Sequence, residues 1–160
     1  MSSILNRLVD HIGRNVPITL CSSPEGLDML VLADLVRRLA RSADERPATL
    51  VMVARDGQRQ AQIETGLAFV APDVEVLSFP NWDCQPYDRV SPHAGLVARR
   101  MLVLSRLART RAGAERPRLL VVTANGLLQK VPRREKVSAE SFSCAPGHMV
   151  DVQLSLIHIS

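Results

Sequence analysis

Short apolar runs alternate along the chain with longer segments of helical periodicity, and this alternation constrains the fold more than any other feature. Four runs are predicted to be strands: Pro17–Cys21 (PITLC), Ala48–Ala54 (ATLVMVA), Val74–Phe79 (VEVLSF) and Arg118–Thr123 (RLLVVT). The second run is continuous in apolar residues, which is typical of a strand buried on both faces.

Three segments with apolar residues at i, i+3 and i+4 predict helices between these strands: Glu25–Arg41, Asp56–Val70 and Leu96–Thr110. Asp56 is predicted to be the N-cap of the second helix. Arg99, Arg100, Arg106 and Arg109 are predicted to lie off the apolar side of the third. The order of strands and helices predicts an α/β domain whose mostly parallel sheet carries helices on both faces.

Length and composition exclude several classes of protein. A chain of 160 residues is about one domain, and none of its apolar runs approaches the roughly 20 residues of a membrane span. The N-terminus lacks a secretory apolar core, so we expect a soluble, cytoplasmic protein without a membrane partner. The three cysteines are odd in number and far apart, which predicts neither a disulfide framework nor a CxxC metal site. The net charge of +4 is a mild excess, and we do not predict direct nucleic-acid binding.

The segment Cys21–Asp28 (CSSPEGLD) occupies the place of a phosphate-binding loop between a first strand and a helix. In the motif G-x-x-x-x-G-K-[ST], a lysine neutralises the phosphates and a hydroxyl holds magnesium. If Gly26 is aligned with the second glycine, then Cys21 replaces the first glycine, Leu27 the lysine and Asp28 the hydroxyl residue. A carboxylate there repels phosphate, so this loop is predicted to be degenerate. Ser22 or Ser23 would then simply cap the helix.

No catalytic or metal-binding constellation is predicted elsewhere. Asp83 and Asp88 lie in a proline-broken loop and are expected to have capping and turn roles. The four histidines share no ligand spacing with one another or with the cysteines. Cys84 has no adjacent basic residue to activate it as a nucleophile and is expected to be a free, partly buried thiol.

The stretch Phe79–His93 (FPNWDCQPYDRVSPH) carries a resemblance to a known family. Its order of residues, together with PEGLDMLVLADLVRRL and VVTANGLLQKVPRRE, resembles the N-terminal module of the bacterial transcription-repair-coupling factor (Mfd) over roughly residues 18–150. The residues of interest as a signature or interaction site are Trp82, Tyr87, Asp88, Arg89 and His93. We interpret the stretch as a structural brace with Trp82 and Tyr87 as aromatic anchors, and partner contact is the alternative.

The resemblance implies a P-loop-NTPase-like fold of the UvrB domain 1 type with a degenerate nucleotide site and no cofactor of its own. It implies a non-catalytic module of a factor that, at full length, displaces stalled RNA polymerase from damaged double-stranded DNA and recruits UvrA. ATP and Mg belong to the motor of that full-length family. The long aromatic hairpin of UvrB has no counterpart after Tyr87, so lesion verification is not expected here.

The same resemblance divides the chain. We expect a helical lead-in at residues 1–17, a UvrB-like α/β domain at 18–137 and the start of a truncated second subdomain at 138–153. Residues 154–160 (LSLIHIS) look like a translated sequencing adapter, although they also alternate as a terminal strand would. The alternative for the whole chain is a stand-alone small α/β nucleotide-binding domain or enzyme with an atypical phosphate loop.

Overall fold

Three parallel strands form the centre of the part of the chain that the structure describes. The computed structural model describes residues 6–8, 11, 17–21, 24, 26–42, 49–84, 91–109 and 116–141. Its elements are α1 (Leu27–Ser42), β1 (Thr49–Ala54), α2 (Gly57–Val70), β2 (Glu75–Phe79), α3 (Ala94–Ala108), β3 (Arg118–Thr123), α4 (Ala124–Leu128) and α5 (Arg134–Glu140). Among the helices in these ranges, none has both the length and the apolar character needed to cross a membrane.

The sheet has the order β1-β3-β2, so the last strand lies between the other two. Both pairings are parallel, and Arg118 is in register with Thr49 on one side and Glu75 on the other. Parallel neighbours require crossover connections, which α2 and α3 supply.

Two apolar clusters cover opposite faces of the sheet. On one face, Leu119 and Val121 of β3 pack with residues of α1 and α2 such as Val36 and Leu67. On the other face, Val122 packs with β2 and with residues of α3. The predicted α/β class, with a mostly parallel sheet and helices on both faces, is confirmed.

Local capping explains where α2 begins. The Asp56 carboxylate accepts a hydrogen bond of 2.7 Å from the backbone N–H of Arg59, as predicted for an N-cap. This bond, together with one from the Arg55 side chain, holds the pKa of Asp56 below its usual value. Farther along α2, the buried Gln60 amide nitrogen lies 3.0 Å from the carbonyl oxygen of Phe79 and 3.1 Å from that of Val121. Gln60 therefore connects α2 to β2 and β3 near the carboxyl ends of these strands.

Two strand predictions are wrong. Residues 17–21 are exposed and form no strand; their alternation is compatible with one, but a strand also needs a hydrogen-bonded neighbour, and none lies beside them in the described ranges. β1 is not buried on both faces, because Val51 and Val53 are 48% and 44% exposed. The reason is that α3, the long helix on this face, packs on β2, which lies at the other side of the three-stranded sheet that the structure describes.

Candidate functional site at the carboxyl ends of the strands

The three strands end together at one edge of the sheet. Because they run parallel and in register, Ala54 and Thr123 are opposite each other, and Phe79 lies opposite Val122. Ligands of open parallel sheets bind outside the carboxyl ends of the strands. The segments that follow these ends, together with the start of α1, therefore form the candidate site.

Three of the predicted phosphate-loop residues, Gly26, Leu27 and Asp28, lie at the start of α1. Cys21 is exposed, and Gly26 has a φ of 87°, in the left-handed region that favours glycine. Leu27 is the first residue of α1, and Asp28 lies in its first turn. Ser22 and Ser23 fall outside the described residues, so their capping role stays a prediction.

Asp28 forms an ion pair with Arg59 of α2. The two side chains are 32% and 21% exposed, and the second oxygen of Asp28, Oδ1, is buried without a hydrogen-bond partner in the described part of the chain. Arg59 also donates to Gln62 at 3.1 Å. A neighbouring cation, Arg55, is bonded to Asp56 at 2.9 Å. Arg55 and Arg59, the two arginines described at the carboxyl end of β1, are thus each paired with a carboxylate.

A buried arginine organises the beginning of the Phe79–His93 stretch. Arg100 of α3 is 2% exposed, and its guanidinium lies 4.1 Å from the ring centroids of both Phe79 and Trp82. It donates to the carbonyl oxygen of Pro80 at 2.7 Å and to Oε1 of Gln129 at 2.8 Å. The same Gln129 oxygen accepts a bond of 3.1 Å from the backbone N–H of Trp82. We call these five residues the Arg100 cluster.

The prediction that Arg100 lies off the apolar side of its helix is therefore wrong, whereas Arg99, Arg106 and Arg109 are exposed. Burial lowers the pKa of Arg100, although an arginine keeps its charge in a protein. The signal was present in the sequence, because Arg100 shares a helical stripe with Val103, three residues later, and with Leu107, seven residues later. Sequence reasoning missed it because arginine is rarely buried.

Thr123 joins the ends of β2 and β3. Its hydroxyl donates to Oδ1 of Asn81 and accepts a bond of 3.2 Å from the backbone N–H of Gly126, which caps α4. A Cβ atom at Gly126 would lie 2.7 Å from Oδ1 of Asn81 and 3.0 Å from a methyl carbon of Val122. Only glycine allows this close approach of α4 to the segment after β2.

Asp83 and His93 close the other end of the stretch. Oδ2 of Asp83 accepts a bond of 3.3 Å from the backbone N–H of His93, and Nδ1 of His93 accepts one of 3.2 Å from Gly95 at the start of α3. Asp83 and His93 thus act as capping groups. Cys84 is free and half-buried, as predicted.

Tyr87, Asp88 and Arg89 lie outside the described residues, so their roles stay predictions. Within the described ranges, no three His, Cys, Asp or Glu side chains lie together as a metal site requires. The side chains that the structure gathers at this edge are paired, capped or stacked, and their arrangement suits a rigid surface.

Comparison with known proteins supports the resemblance seen in the sequence. The chain is 27% identical over 85 residues to the transcription-repair-coupling factor of Rickettsia bellii, and 28% identical over 85 residues to that of Rickettsia prowazekii. It is 27% identical over 93 residues to that of Escherichia coli.

These matches cover 53% to 58% of this chain but only 7% to 8% of the relatives. No family model matches the chain, and no solved structure matches it. The chain is thus similar, over about half of its length, to a small part of bacterial transcription-repair-coupling factors.

Proposed function

We propose that this chain is a non-catalytic α/β module of a transcription-repair-coupling factor. Its similarity to three such factors supports the family context. In this proposal, the full-length protein displaces stalled RNA polymerase from damaged DNA and recruits UvrA. ATP, Mg and double-stranded DNA are bound by its motor rather than by this module.

The Asp28–Arg59 ion pair is the observation that carries the non-catalytic assignment. A triphosphate at the start of α1 would need an unpaired cation beside it, whereas Arg59 is committed to Asp28. A phosphate would also approach the Asp28 carboxylate in a partly desolvated site, where two like charges repel strongly. In this proposal, the start of α1 lacks the chemistry of a nucleotide site.

The Arg100 cluster supports a structural role for the segment after β2. Its aromatic and amide groups are held by stacking and by hydrogen bonds from α3 and from Gln129. A segment ordered in this way can hold a neighbouring domain or a protein partner in a defined orientation, because little entropy is lost when the partner binds.

Equilibrium dialysis with labelled ATP and Mg tests the non-catalytic half of the proposal. We expect no saturable binding up to about 1 mM ATP, which corresponds to a binding free energy weaker than about −4 kcal/mol. The Asp28→Asn variant is the matched control, since it removes the repelling charge and leaves the loop backbone unchanged. Micromolar binding by the unmodified chain would favour the nucleotide-binding alternative and overturn the proposal.

The genomic reading frame tests the proposal that the chain is part of a transcription-repair-coupling factor. Sequencing the locus should show that the codons after Val152 continue into a polymerase-binding domain and then a motor that contains G-x-x-x-x-G-K-[ST]. A natural stop codon soon after Val152, with no such motor downstream, would contradict the assignment even if ATP does not bind.

A further inference from the structure

The outer edge of β2 lies in a groove between helices on opposite faces of the sheet. β2 pairs with β3 on one side only, so its other edge is open within the described part of the chain. One wall of the groove is Glu64 of α2, and the other is formed by Arg99, Leu102 and Arg106 of α3. The volume is about 350 Å³, and we call this feature the β2 groove.

The floor of the β2 groove is strand backbone. The N–H of Glu75 donates to the carbonyl oxygen of Pro117, on the β3 side, at 2.8 Å. The N–H and C=O groups of successive residues in a strand point alternately to its two sides, so those of Val76 and Ser78 point to the open edge. Such unpaired groups are a template for another strand.

The walls of the groove carry exposed charges of opposite sign. Arg99 and Glu64 are exposed, and neither has a hydrogen-bond or ion-pair partner within the described ranges. Arg106 is 51% exposed and lies 3.8 Å from Glu75, which is bonded much more closely to Arg118, at 2.6 Å. The α3 wall is therefore positive and the α2 wall negative.

Leu102 adds an apolar contact at the α3 wall, because it is 52% exposed between the two arginines. In an added strand, successive side chains point to opposite faces of the sheet. Acidic side chains would therefore meet Arg99 and Arg106, and the basic side chains between them would meet Glu64.

We propose that the β2 groove binds an extended segment of a partner protein, in which acidic and basic side chains alternate, as an added strand of the sheet. The charges disfavour a second copy of this chain as the occupant. A two-fold axis perpendicular to the sheet would pair the two β2 edges antiparallel and place Arg99 and Arg106 beside their own copies. This inference goes beyond the proposed function, since the groove lies along the side of the sheet and not at the carboxyl ends.

Fluorescence anisotropy with a short labelled peptide of strictly alternating Glu and Lys tests the proposal on the full chain. We expect saturable binding, and we expect the double variant Arg99→Glu/Arg106→Glu to weaken it about tenfold, since two attractive contacts become repulsive. The control peptide has the same composition in paired order, Glu-Glu-Lys-Lys, and should bind about tenfold more weakly, because it cannot place one sign on each wall.

A proline at position 76 tests, independently of the charges, whether the peptide binds to the backbone of β2. Val76→Pro removes an N–H that faces the groove and leaves the β3 side of the ladder intact, so it should also abolish peptide binding. Circular dichroism checks that each variant is folded; if Val76→Pro does not fold, the charge variant decides alone.

Three kinds of result would overturn the proposal. The first concerns the alternating peptide: either it shows no saturable binding at millimolar concentration, or it binds equally to the unmodified chain and to Arg99→Glu/Arg106→Glu. The second is equal affinity for the paired-order peptide. The third is a dimer in sedimentation velocity that the arginine variant dissociates, which would make a second copy the occupant.

Discussion

At Arg100, a residue type that is normally exposed lies inside the domain, and its contacts explain why this is tolerated. Burying a charge is costly unless hydrogen bonds and polarisable groups replace water. Two carbonyl-type oxygens and two aromatic faces do so here. The Arg100 side chain therefore holds Phe79 and Trp82 in place. It also fixes the start of the segment after β2 to helix α3.

We predict that Arg100→Ala destabilises the chain by about 3 kcal/mol, because it removes packing, stacking and two charged hydrogen bonds. This loss should lower Tm by roughly 8 °C. The adjacent Arg99→Ala is the matched control, and as an exposed substitution it should stay within about 0.5 kcal/mol. Urea unfolding followed by circular dichroism measures both. Equal values for the two variants would show that the Arg100 cluster does not stabilise the fold.

Trp82 should be energetically coupled to Arg100. Trp82→Ala is expected to destabilise the chain, and the double variant with Arg100→Ala should cost about 1–2 kcal/mol less than the sum of the two single variants, as for a partly desolvated cation–π contact. A double-mutant cycle from urea unfolding measures this term. Unchanged stability of Trp82→Ala, combined with weaker binding of a partner, would instead make Trp82 a contact residue and not a brace.

Among the elements, α1 is joined to the turn before β2 by a pair of charges. Arg37 donates from Nε to Oδ2 of Asp73 at 2.7 Å and forms a second hydrogen bond to Oδ1. These bonds hold the pKa of Asp73 at about 2, below its model-peptide value of 3.8, and raise the pKa of Arg37. Since Asp73 is 52% exposed, solvent screening limits the pair to less than about 1 kcal/mol.

The pH dependence of this pair has a definite sign. The folded state has the lower pKa, so the contribution of Asp73 is complete above about pH 4 and is lost as the pH falls towards about 2, because the unfolded carboxyl takes up its proton first. Asp73→Asn should therefore be less stable than the unmodified chain at pH 6, and the difference should vanish near pH 2. Urea midpoints measured across this range test it, and a difference that does not change with pH would contradict the prediction.

At the scale of the molecule, one face of β1 is only about half covered by the part of the chain that the structure describes. Val51 and Val53 are nearly half exposed, whereas Leu119 and Val121 of the neighbouring strand are fully buried. Exposed apolar side chains beside an open strand edge favour self-association. Helix α4 also contacts β1, and its Leu128 is 84% exposed.

Replacing Val51 and Val53 together by Thr should change the free energy of unfolding by less than about 1 kcal/mol, since little burial is lost. The same variant should remain monomeric at higher concentration, as followed by light scattering. Val121→Thr is the matched control and should cost about 1–3 kcal/mol, because it buries a hydroxyl. A cost for the double variant as large as that of the control would mean that another part of the chain covers this face.

The local features that sequence could predict are those set by neighbouring residues. The bounds of β3 and the N-cap at Asp56 agree with prediction, and the predicted ranges of α1, α2 and α3 hold to within about two residues. Helical and strand periodicities, and a carboxylate at a helix start, act over a few residues and are therefore visible in the sequence. The predicted strand at Pro17–Cys21 is wrong, because a strand forms only when it pairs with a strand elsewhere in the chain and no local pattern specifies that pairing.

The residues alone are enough to predict the α/β class, the main helices and strands, and the replacement of the phosphate-loop lysine and hydroxyl residue by Leu27 and Asp28. The pairing of Asp28 with Arg59, the burial of Arg100 against two rings and the position of β3 between β1 and β2 depend on tertiary contacts. The physical reason is distance along the chain: these partners are tens of residues apart in sequence, and no local pattern specifies which of them meet once the sheet has formed.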